Sequence, residues 1–286
     1  MRIEVNGTTL WCDVDGPSLV PVGPTMAARP TIVLVHGGPG GYDHSYFWPE
    51  FSRLTAAAQV VSVDLREHGR SARGDPATFT YEQCADDLVA LCDELGIDRP
   101  VVLGHSMGGF VAMLAGVRHP GRLGGLILLS TFARYDLDRI ADGFRRFGGD
   151  EVGSLARRDF GGEEVTDADS DRVFAAFGPN LPSPERLARV VRNPAVNGPG
   201  MARMRELDAV GSLGILDCPT LVCVGELDPV APVGASREIV AAVRPGLGNL
   251  TVIPGAGHFP WLDEPDRFWA VIEEFVARLA PGVDPT

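Results

Sequence analysis

Six short apolar runs recur along the chain and predict the strands of a sheet. They are rich in Val, Ile and Leu, and they do not alternate with polar residues. Strands that are covered on both faces have this pattern, which is typical of a parallel sheet. The runs lie at 31–35, 59–65, 101–104, 123–129, 220–224 and 250–253.

Amphipathic segments between these runs predict helices. Thr80 and Gln83 form a capping box, the apolar residues that follow fall on one helical face, and Gly96 stands where a helix stop is expected. Two further helices are predicted over 107–118 and 265–279. The pattern therefore predicts an α/β fold, with a mostly parallel central sheet flanked by helices.

The N-terminal residues follow a different pattern. Two short alternating runs flank Asn6-Gly7, a pair that favours a tight turn between antiparallel strands. We therefore expect a β-hairpin there, followed by a Pro/Gly-rich connection over 16–30.

The stretch 131–212 has no strand-like run. It consists of polar, arginine-rich, helix-like pieces, and the strand pattern resumes at residue 220. Because both flanks are needed to complete one sheet, we predict a helical lid inserted into a core of residues 1–130 and 213–286; an independent domain is the alternative. We weigh two roles for five phenylalanines of the stretch, lining an apolar pocket or packing the lid: Phe144, Phe147, Phe160, Phe174 and Phe177.

Size and charge narrow the classes of protein. The chain has 286 residues, 45% of them hydrophobic, which suffices for one large domain with an inserted lid. The net charge of −13 offers no basic patch to neutralise phosphates, so we expect no nucleic-acid partner. The N-terminus has no apolar signal core and no apolar run reaches bilayer length, so we expect a cytoplasmic protein that does not enter a membrane.

Five cysteines are odd in number and show no metal-ligand spacing with a histidine. We expect reduced, mostly buried thiols rather than disulfides or a zinc site. They are Cys12, Cys84, Cys92, Cys218 and Cys223.

The segment 104–109 reads Gly-His-Ser-Met-Gly-Gly and joins a predicted strand to a predicted helix. Ser106 stands at the bend, with glycines two residues before and two residues after it. Such a sharp turn strains the serine and crowds the neighbouring backbone, which glycine tolerates. We predict that Ser106 is a nucleophile held above the sheet at a helix N-terminus. A dinucleotide site would need glycine at this position and is excluded.

His258 is the predicted base. It lies in a glycine-rich loop after the last strand, at the sheet edge where open α/β sheets bind ligands. A serine hydroxyl needs such a base to take its proton, and imidazole suits that task near neutral pH. The other histidines are expected to be structural: His36, His44, His68, His105 and His119.

Asp228 is the predicted acid that orients this histidine, with Glu226 as its rival. Both follow the strand over 220–224, and the resulting chain order is Ser, Asp, His. The strand before the predicted lid ends in Ser130-Thr131, which leaves the other usual acid position without a carboxylate.

Acyl transfer also needs donors for a developing oxyanion. We predict the backbone N–H of Met107, directly after the serine, and the N–H of Gly38 in the loop His-Gly-Gly-Pro-Gly-Gly over 36–41. An ordinary glycine turn is the alternative for this loop. A phosphate cradle is disfavoured because no Gly-Lys-Ser/Thr follows.

Together these motifs resemble the α/β-hydrolase superfamily, which implies the α/β-hydrolase fold and a Ser106–His258–Asp228 triad. The resemblance implies neither a metal nor an organic cofactor. It rests on residues 36–41, 64–71, 104–109, 225–232 and 255–265.

The subfamily signals differ between segments. Residues 36–41 are similar to the prolyl aminopeptidase signature. That family, however, usually has Trp directly after the nucleophile, where Met107 stands here. It also usually has Gln in the segment where Leu65-Arg66-Glu67 stands here. Residues 104–109 look more like esterases, lactonases, C–C bond hydrolases and cofactor-free perhydrolases. Epoxide hydrolases and haloalkane dehalogenases use Asp as nucleophile, unlike Ser106.

The leading hypothesis is hydrolysis of an ester or lactone of a small, largely apolar molecule through an acyl-enzyme. A prolyl aminopeptidase or amidase is the alternative, with Glu163, Glu164 and Glu185 available to hold a substrate amine. A C–C bond hydrolase or perhydrolase and a non-catalytic scaffold are further alternatives. We expect a small-molecule substrate as the only ligand, and a monomer or homodimer; the sequence assigns no substrate-binding residues.

Overall fold

The computed structural model describes residues 1–279, and in that part of the chain the backbone forms ten strands and nine α-helices besides short 3₁₀ turns. The strands are β1 Arg2–Val5, β2 Thr8–Asp15, β3 Leu19–Val22, β4 Thr25–Ala28, β5 Thr31–Val35, β6 Gln59–Asp64, β7 Val101–His105, β8 Gly125–Leu129, β9 Thr220–Gly225 and β10 Gly248–Ile253. The helices are α1 Tyr81–Glu94, α2 Met107–Arg118, α3 Leu137–Gly161, α4 Asp167–Ala175, α5 Pro184–Leu187, α6 Asn197–Arg205, α7 Val233–Ala242, α8 Pro260–Asp263 and α9 Pro265–Arg278.

Eight strands form one sheet in the order β1-β2-β6-β5-β7-β8-β9-β10. The last six strands in this order, which start with β6 and include β5, pair in parallel, while β1 and β2 pair antiparallel with their neighbours. The six predicted apolar runs are the six parallel strands. The predicted α/β-hydrolase fold, a mostly parallel sheet flanked by helices, is therefore confirmed.

Apolar side chains of the central strands alternate between two faces, and each face packs against its own cluster. On β5, Val33 and Val35 face one cluster while Ile32 and Leu34 face the other. Helices α1, α2 and α7 cover the first face and α9 covers the second. Coverage on both sides explains why these strands lack polar positions.

The N-terminal hairpin forms as predicted, with Val5 paired to Thr8 across Asn6-Gly7. The prediction of a plain Pro/Gly-rich connection over 16–30 was wrong, because this segment contains a second hairpin made by β3 and β4. Gly23 makes the turn at φ 58°. Because the two strands pair only with each other, Pro21 is tolerated on an unpaired edge, and the proline content of the segment did not reveal the pairing.

The predicted helix boundaries agree closely with the structure. Thr80 caps α1, with its hydroxyl accepting the N–H of Gln83 at 3.1 Å, and Gly96 follows the helix in a left-handed conformation at φ 64°. Helix α2 spans the predicted residues, and α9 ends one residue before the predicted bound.

Residues 131–212 lie between β8 and β9 and contain α3 to α6; we refer to them as the helical connection. Among the residues described, the helical connection contains no β-strand, and its β-pairing is limited to one isolated bridge between Arg134 and Asp208. The division into a core and a lid stays a prediction.

All five cysteines are free and buried, as the sequence predicted. Within residues 1–279, none of the helices combines the length and the apolar character that a membrane span needs.

The turn between β7 and α2 is packed so closely that side chains are excluded from it. A Cβ on Gly108 would lie 2.7 Å from the carbonyl oxygen of His36 and closer still to that of Val35. A Cβ on Gly104 would run into the backbone of Gly108 in the same way. The two glycines therefore let the first turn of α2 rest directly on the carboxyl end of β5.

We expect Gly108→Ala to lower the free energy of unfolding by about 1–3 kcal/mol, because the added methyl group must displace backbone. Gly234→Ala is the matched control, since this helical glycine of α7 has no atom within 4 Å of an added Cβ. The control variant should be as stable as the parent or about 1 kcal/mol more stable. Urea denaturation followed by circular dichroism measures both, and equal stability of the two variants would contradict the packing argument.

Candidate active site

Ser106 occupies the bend between β7 and α2 in a left-handed conformation, with φ 54° and ψ −120°. Its N–H donates to the carbonyl of Leu129 at 2.9 Å, and the Thr131 hydroxyl donates to its carbonyl at 2.8 Å. Such a backbone conformation costs on the order of 1–3 kcal/mol in a non-glycine residue and persists only where neighbours enforce it. The result is a serine side chain held at the edge of a cavity.

His258 and Asp228 contact each other through the loops that follow β10 and β9. The imidazole Nδ1 lies 3.0 and 3.1 Å from the two carboxylate oxygens of Asp228. Asp228 Oδ1 also accepts the N–H groups of Val230 and Ala231, both at 2.9 Å. These two amides fix the carboxylate, and the contact at Nδ1 leaves Nε2 as the nitrogen available to another group.

Glu226, the rival acid, lies elsewhere. Its side chain is exposed and accepts the N–H of Gly255 at 3.1 Å. Asp228 is fully buried and His258 is only 3% exposed. The carboxylate that orients the imidazole in this structure is therefore that of Asp228.

Ser106 and His258 line one cavity of about 570 Å³. Over residues 1–279 no hydrogen bond joins the two side chains; such bonds are often long without a substrate and shorten in the reacting complex. The cavity wall is mostly aromatic and aliphatic, with contributions from Phe110, Phe132, Phe160, Phe174, Phe177, Met201, Met204 and Val230.

The glycine loop after β5 passes along the same cavity. Gly38 lines it with φ 148°, a backbone conformation that L side chains rarely adopt, and an added Cβ would lie 3.3 Å from Cε of Met107. Gly38 and Met107 are thus neighbours, and the N–H of Met107 belongs to the first turn of α2, where amides have no helical partner. The backbone of Gly38 and that of Met107 therefore come together at the edge of the cavity, next to Ser106.

Two buried histidines brace this loop. His36 Nε2 accepts the N–H of Leu65 at 3.2 Å, and His68 Nε2 accepts the N–H of Gly40 at 2.9 Å. Burial lowers the pKa of both, that of His68 to about 3, so both rings are neutral and able to accept. These histidines have the structural role that the sequence indicated.

His105 connects three loops through one chain of hydrogen bonds. The N–H of Gly37 donates to the Tyr46 hydroxyl at 3.1 Å, which donates to His105 Nδ1 at 2.7 Å. His105 Nε2 then donates to the carbonyl of His258 at 2.9 Å. Burial holds the pKa of His105 well below its usual value, which keeps the ring neutral and able to accept at one nitrogen while donating at the other.

The helical connection contacts the glycine loop directly. The N–H of Asn193 donates to the Gly40 carbonyl at 2.9 Å, and its side-chain amide donates to the Glu67 carbonyl at 2.8 Å. The buried guanidinium of Arg186 pairs with Glu50 and lies 3.3 Å from the carbonyl of Tyr46. The loop is therefore held from the sheet side by histidines and from the other side by the helical connection.

Asp43, His44 and Asp64 form a buried cluster whose ligand atoms are close enough together to hold a metal ion. Their hydrogen bonds do not fit that role. Asp64 accepts the ring Nδ1 and the N–H of His44 at 2.6 and 2.9 Å, and Asp43 accepts the Arg70 guanidinium at 3.0 Å. The cation of Arg70 and the imidazole of His44 already compensate the carboxylates.

Protonation of His44 is favoured in this cluster. Burial lowers the pKa of His44, but the hydrogen bond to Asp64 and the charges of Asp64, Asp43 and Asp13 outweigh burial, so that the pKa is raised above 6.5. For Asp64, burial raises the pKa, and the contacts with His44 outweigh it and lower the pKa below 3.8. Between pH 3.8 and 6.5 the two side chains therefore form an ion pair in the folded protein.

The phenylalanines of the helical connection divide between the two predicted roles. Phe160, Phe174 and Phe177 line the cavity, whereas Phe144 is buried with its ring centre 5.7 Å from those of Phe160 and Phe177. Phe147 is 37% exposed.

The predicted amine-binding carboxylates also divide. Glu163 and Glu164 line the cavity together with Asp159 and Arg205, whereas Glu185 is exposed on α5, away from the cavity.

Sequence reasoning missed Tyr46, Asn193 and the carbonyl of Phe177, which accepts the N–H of His258 at 2.8 Å. Each acts through a contact with a residue far away in the chain, and two act through backbone atoms, for which no residue type is a signal. The one available clue was the aromatic-rich segment over 42–48, which follows the glycine loop.

Comparison with known proteins places these features in a wider group. A model of the alpha/beta hydrolase family matches residues 32–271. A pimeloyl-[acyl-carrier protein] methyl ester esterase from Edwardsiella ictaluri is 28% identical over 256 residues, covering 87% of this chain and 94% of that one. A thermophilic esterase from Thermogutta terrifontis has a similar structure, with a TM-score of 0.73, 26% identity, and 98% and 99% of the two chains covered. Proline iminopeptidase of Mycobacterium smegmatis superposes with a TM-score of 0.79 at 22% identity over 98% of both chains, a likeness of fold.

We expect His44→Asn to lower the free energy of unfolding by about 1–3 kcal/mol at pH 5.5, since a buried charged hydrogen bond is lost. The folded-state pKa of His44 is raised, so its contribution is fully present below pH 6.5 and is lost as pH rises through the folded-state value. The difference between parent and variant should therefore shrink as the pH rises above 6.5. His119→Gln, at a partly exposed histidine that pairs with Asp86, is the control; a His44→Asn difference that grows with pH would contradict the argument.

Proposed function

Because the chain belongs to the alpha/beta hydrolase family and is a hydrolase, we propose that it is a serine enzyme that cleaves an ester or lactone of a small, largely apolar molecule. One observation carries the proposal: the strained Ser106 and the imidazole held by buried Asp228 line the same apolar cavity. The esterases among the relatives support the same bond type.

The proposed reaction begins when His258 Nε2 takes the proton of the Ser106 hydroxyl as the oxygen attacks the substrate carbonyl. Asp228 keeps the proton of the imidazole on Nδ1 and stabilises the imidazolium that forms. The leaving alcohol receives the proton from His258. Water then attacks the acyl-enzyme with His258 as base and releases the acid, which restores the serine.

We assign the stabilisation of the negative charge that develops on the carbonyl oxygen to the backbone N–H groups of Gly38 and Met107. Their positions beside Ser106, at a glycine loop and a helix N-terminus, support this role. Removing one such donor typically costs about 10²–10³-fold in kcat, so the fixed position of the loop matters for the rate.

We propose that the helical connection is a lid, as the sequence predicted. Phe160, Phe174 and Phe177 supply an apolar wall above Ser106, which suits a hydrocarbon or aromatic acyl group.

A peptide or amide bond next to a free amine is the second candidate. Glu163 and Glu164 face the cavity with Asp159, and carboxylates at one end of an apolar cavity would suit a cationic amine. Arg205 lines the same cavity and partly offsets their charge, and burial raises the pKa of Asp159. These features favour the ester hypothesis.

We expect a fluorophosphonate probe to add its mass to the peptide that contains Ser106, because only an activated serine reacts at a useful rate. Intact mass spectrometry and peptide mapping measure the addition, and Ser106→Ala is the control. Labelling at another serine in the parent protein would refute the nucleophile.

We expect Asp228→Asn to lower kcat on a nitrophenyl ester by about 10⁴-fold, as loss of the orienting carboxylate does in other serine triads. Glu226→Gln is the matched control and should keep kcat within about twofold, because this side chain is exposed and accepts the amide of Gly255. Steady-state kinetics of both variants decide the acid, and the reverse order of effects would assign that role to Glu226.

We expect short-chain nitrophenyl esters and lactones to be hydrolysed with a higher kcat/KM than a prolyl arylamide. Glu164→Gln should leave the ester rate within about twofold, since no proposed step needs this carboxylate. Faster turnover of the arylamide, together with its loss in Glu164→Gln, would favour the aminopeptidase.

A further inference from the structure

The peptide group of His258 is held by two different parts of the molecule. Its carbonyl accepts Nε2–H of His105, which belongs to β7 of the sheet. Its N–H donates to the carbonyl of Phe177, which belongs to the helical connection, at 2.8 Å. The loop that bears the proposed base therefore depends on a segment outside the sheet.

The contact between these segments is close. An added Cβ on Gly178 would lie 3.1 Å from Cα of Gly257, and one on Gly257 would run into the carbonyl of Phe177. Backbone therefore lies directly on backbone, and no side chain separates the helical connection from the loop of His258.

Asp263 joins the same two segments with one carboxylate. Oδ2 accepts the N–H of Gly257 at 2.8 Å, next to the base. Oδ1 accepts the backbone N–H of Asn180 at 2.7 Å and its side-chain amide at 3.1 Å. The carboxylate thus has donors from the base loop on one oxygen and donors from the helical connection on the other.

We propose that Asp263 is a positioning residue that fastens residues 177–180 to the loop of His258, so that the base keeps its place only while this segment is docked. The inference rests on the proposed function of His258. Asp228 and His105 do not provide all of the restraint on the base. Asp228 holds the ring at Nδ1 and His105 holds the carbonyl, whereas the N–H groups of His258 and Gly257 are held by Phe177 and Asp263. A segment that forms a wall of the cavity would in this way couple its own docking to catalysis.

The test compares Asp263→Asn with Asp263→Glu, and with Asp266→Asn as a matched control at an exposed carboxylate of α9. An amide at 263 places an N–H group against one of the N–H donors that the carboxylate now accepts. We expect kcat on a nitrophenyl ester to fall at least tenfold in Asp263→Asn, KM to stay within about threefold, Asp263→Glu to recover part of kcat, and the control to match the parent.

A double-mutant cycle separates positioning from general damage. A residue that acts through His258 has no further effect once His258 is removed, so Asp263→Asn should leave unchanged the residual ester hydrolysis and the fluorophosphonate labelling rate of His258→Ala. An equal fold loss in both backgrounds, or no loss of kcat in the single variant, overturns the proposal.

Asn180→Ala provides a second route should Asp263→Asn fold poorly. It removes one of the three N–H groups and leaves the carboxylate in place, so we expect a loss of about two- to fivefold in kcat that again disappears in the His258→Ala background. The proposed function is judged by the parent protein alone. If the parent is labelled at Ser106 and depends on His258, while Asp263→Asn and Asn180→Ala are both fully active, the positioning role of Asp263 is rejected and the proposed hydrolase function stands.

Discussion

The contact of helix α2 with the end of β5 is the constraint on which the rest of the site depends. Gly108 lies against the carbonyl of Val35, so the helix N-terminus and the start of the glycine loop meet at one point. The strained Ser106 lies on one side of this contact, and Gly38 lies on the other. Parallel strands place the loops of Asp228 and His258 at the same edge of the sheet, so the groups converge by topology as much as by specific bonds.

Neutral histidines hold the loops around this point. Burial keeps His36, His68 and His105 unprotonated, which lets each ring accept one hydrogen bond and donate another. His36 and His68 do so between backbone groups, and His105 does so between the Tyr46 hydroxyl and a backbone carbonyl. A charged ring in the same places would lose its acceptor and need a buried counter-ion. His44, whose pKa is raised, lies instead where carboxylates surround it. The direction of the pKa shift thus matches the surroundings at each of these four histidines.

The sheet and the elbow were predictable because residue type alone reveals them: branched apolar runs mark buried strands, and glycines around Ser106 mark a crowded bend. Asp228 and His258 could be placed at the same edge of the sheet because each follows a strand, and their catalytic roles stay a prediction. The hairpin over β3 and β4 was missed, since proline and glycine content indicates turns but not pairing. Tyr46 and the carbonyl of Phe177 were beyond reach, because their partners are set by tertiary structure and one of them is a backbone atom.

Among its contacts with the site, the helical connection holds the glycine loop through Asn193 and the loop of His258 through Phe177. Replacing the whole segment by that of a relative would therefore change the support of the glycine loop and of the loop of His258 along with the shape of the cavity. Met201 and Met204 line the cavity from α6, and neither side chain takes part in those two contacts. Redesign of substrate preference can start most safely at these two side chains, because changing them alters the cavity wall while the contacts of Asn193 and Phe177 stay in place.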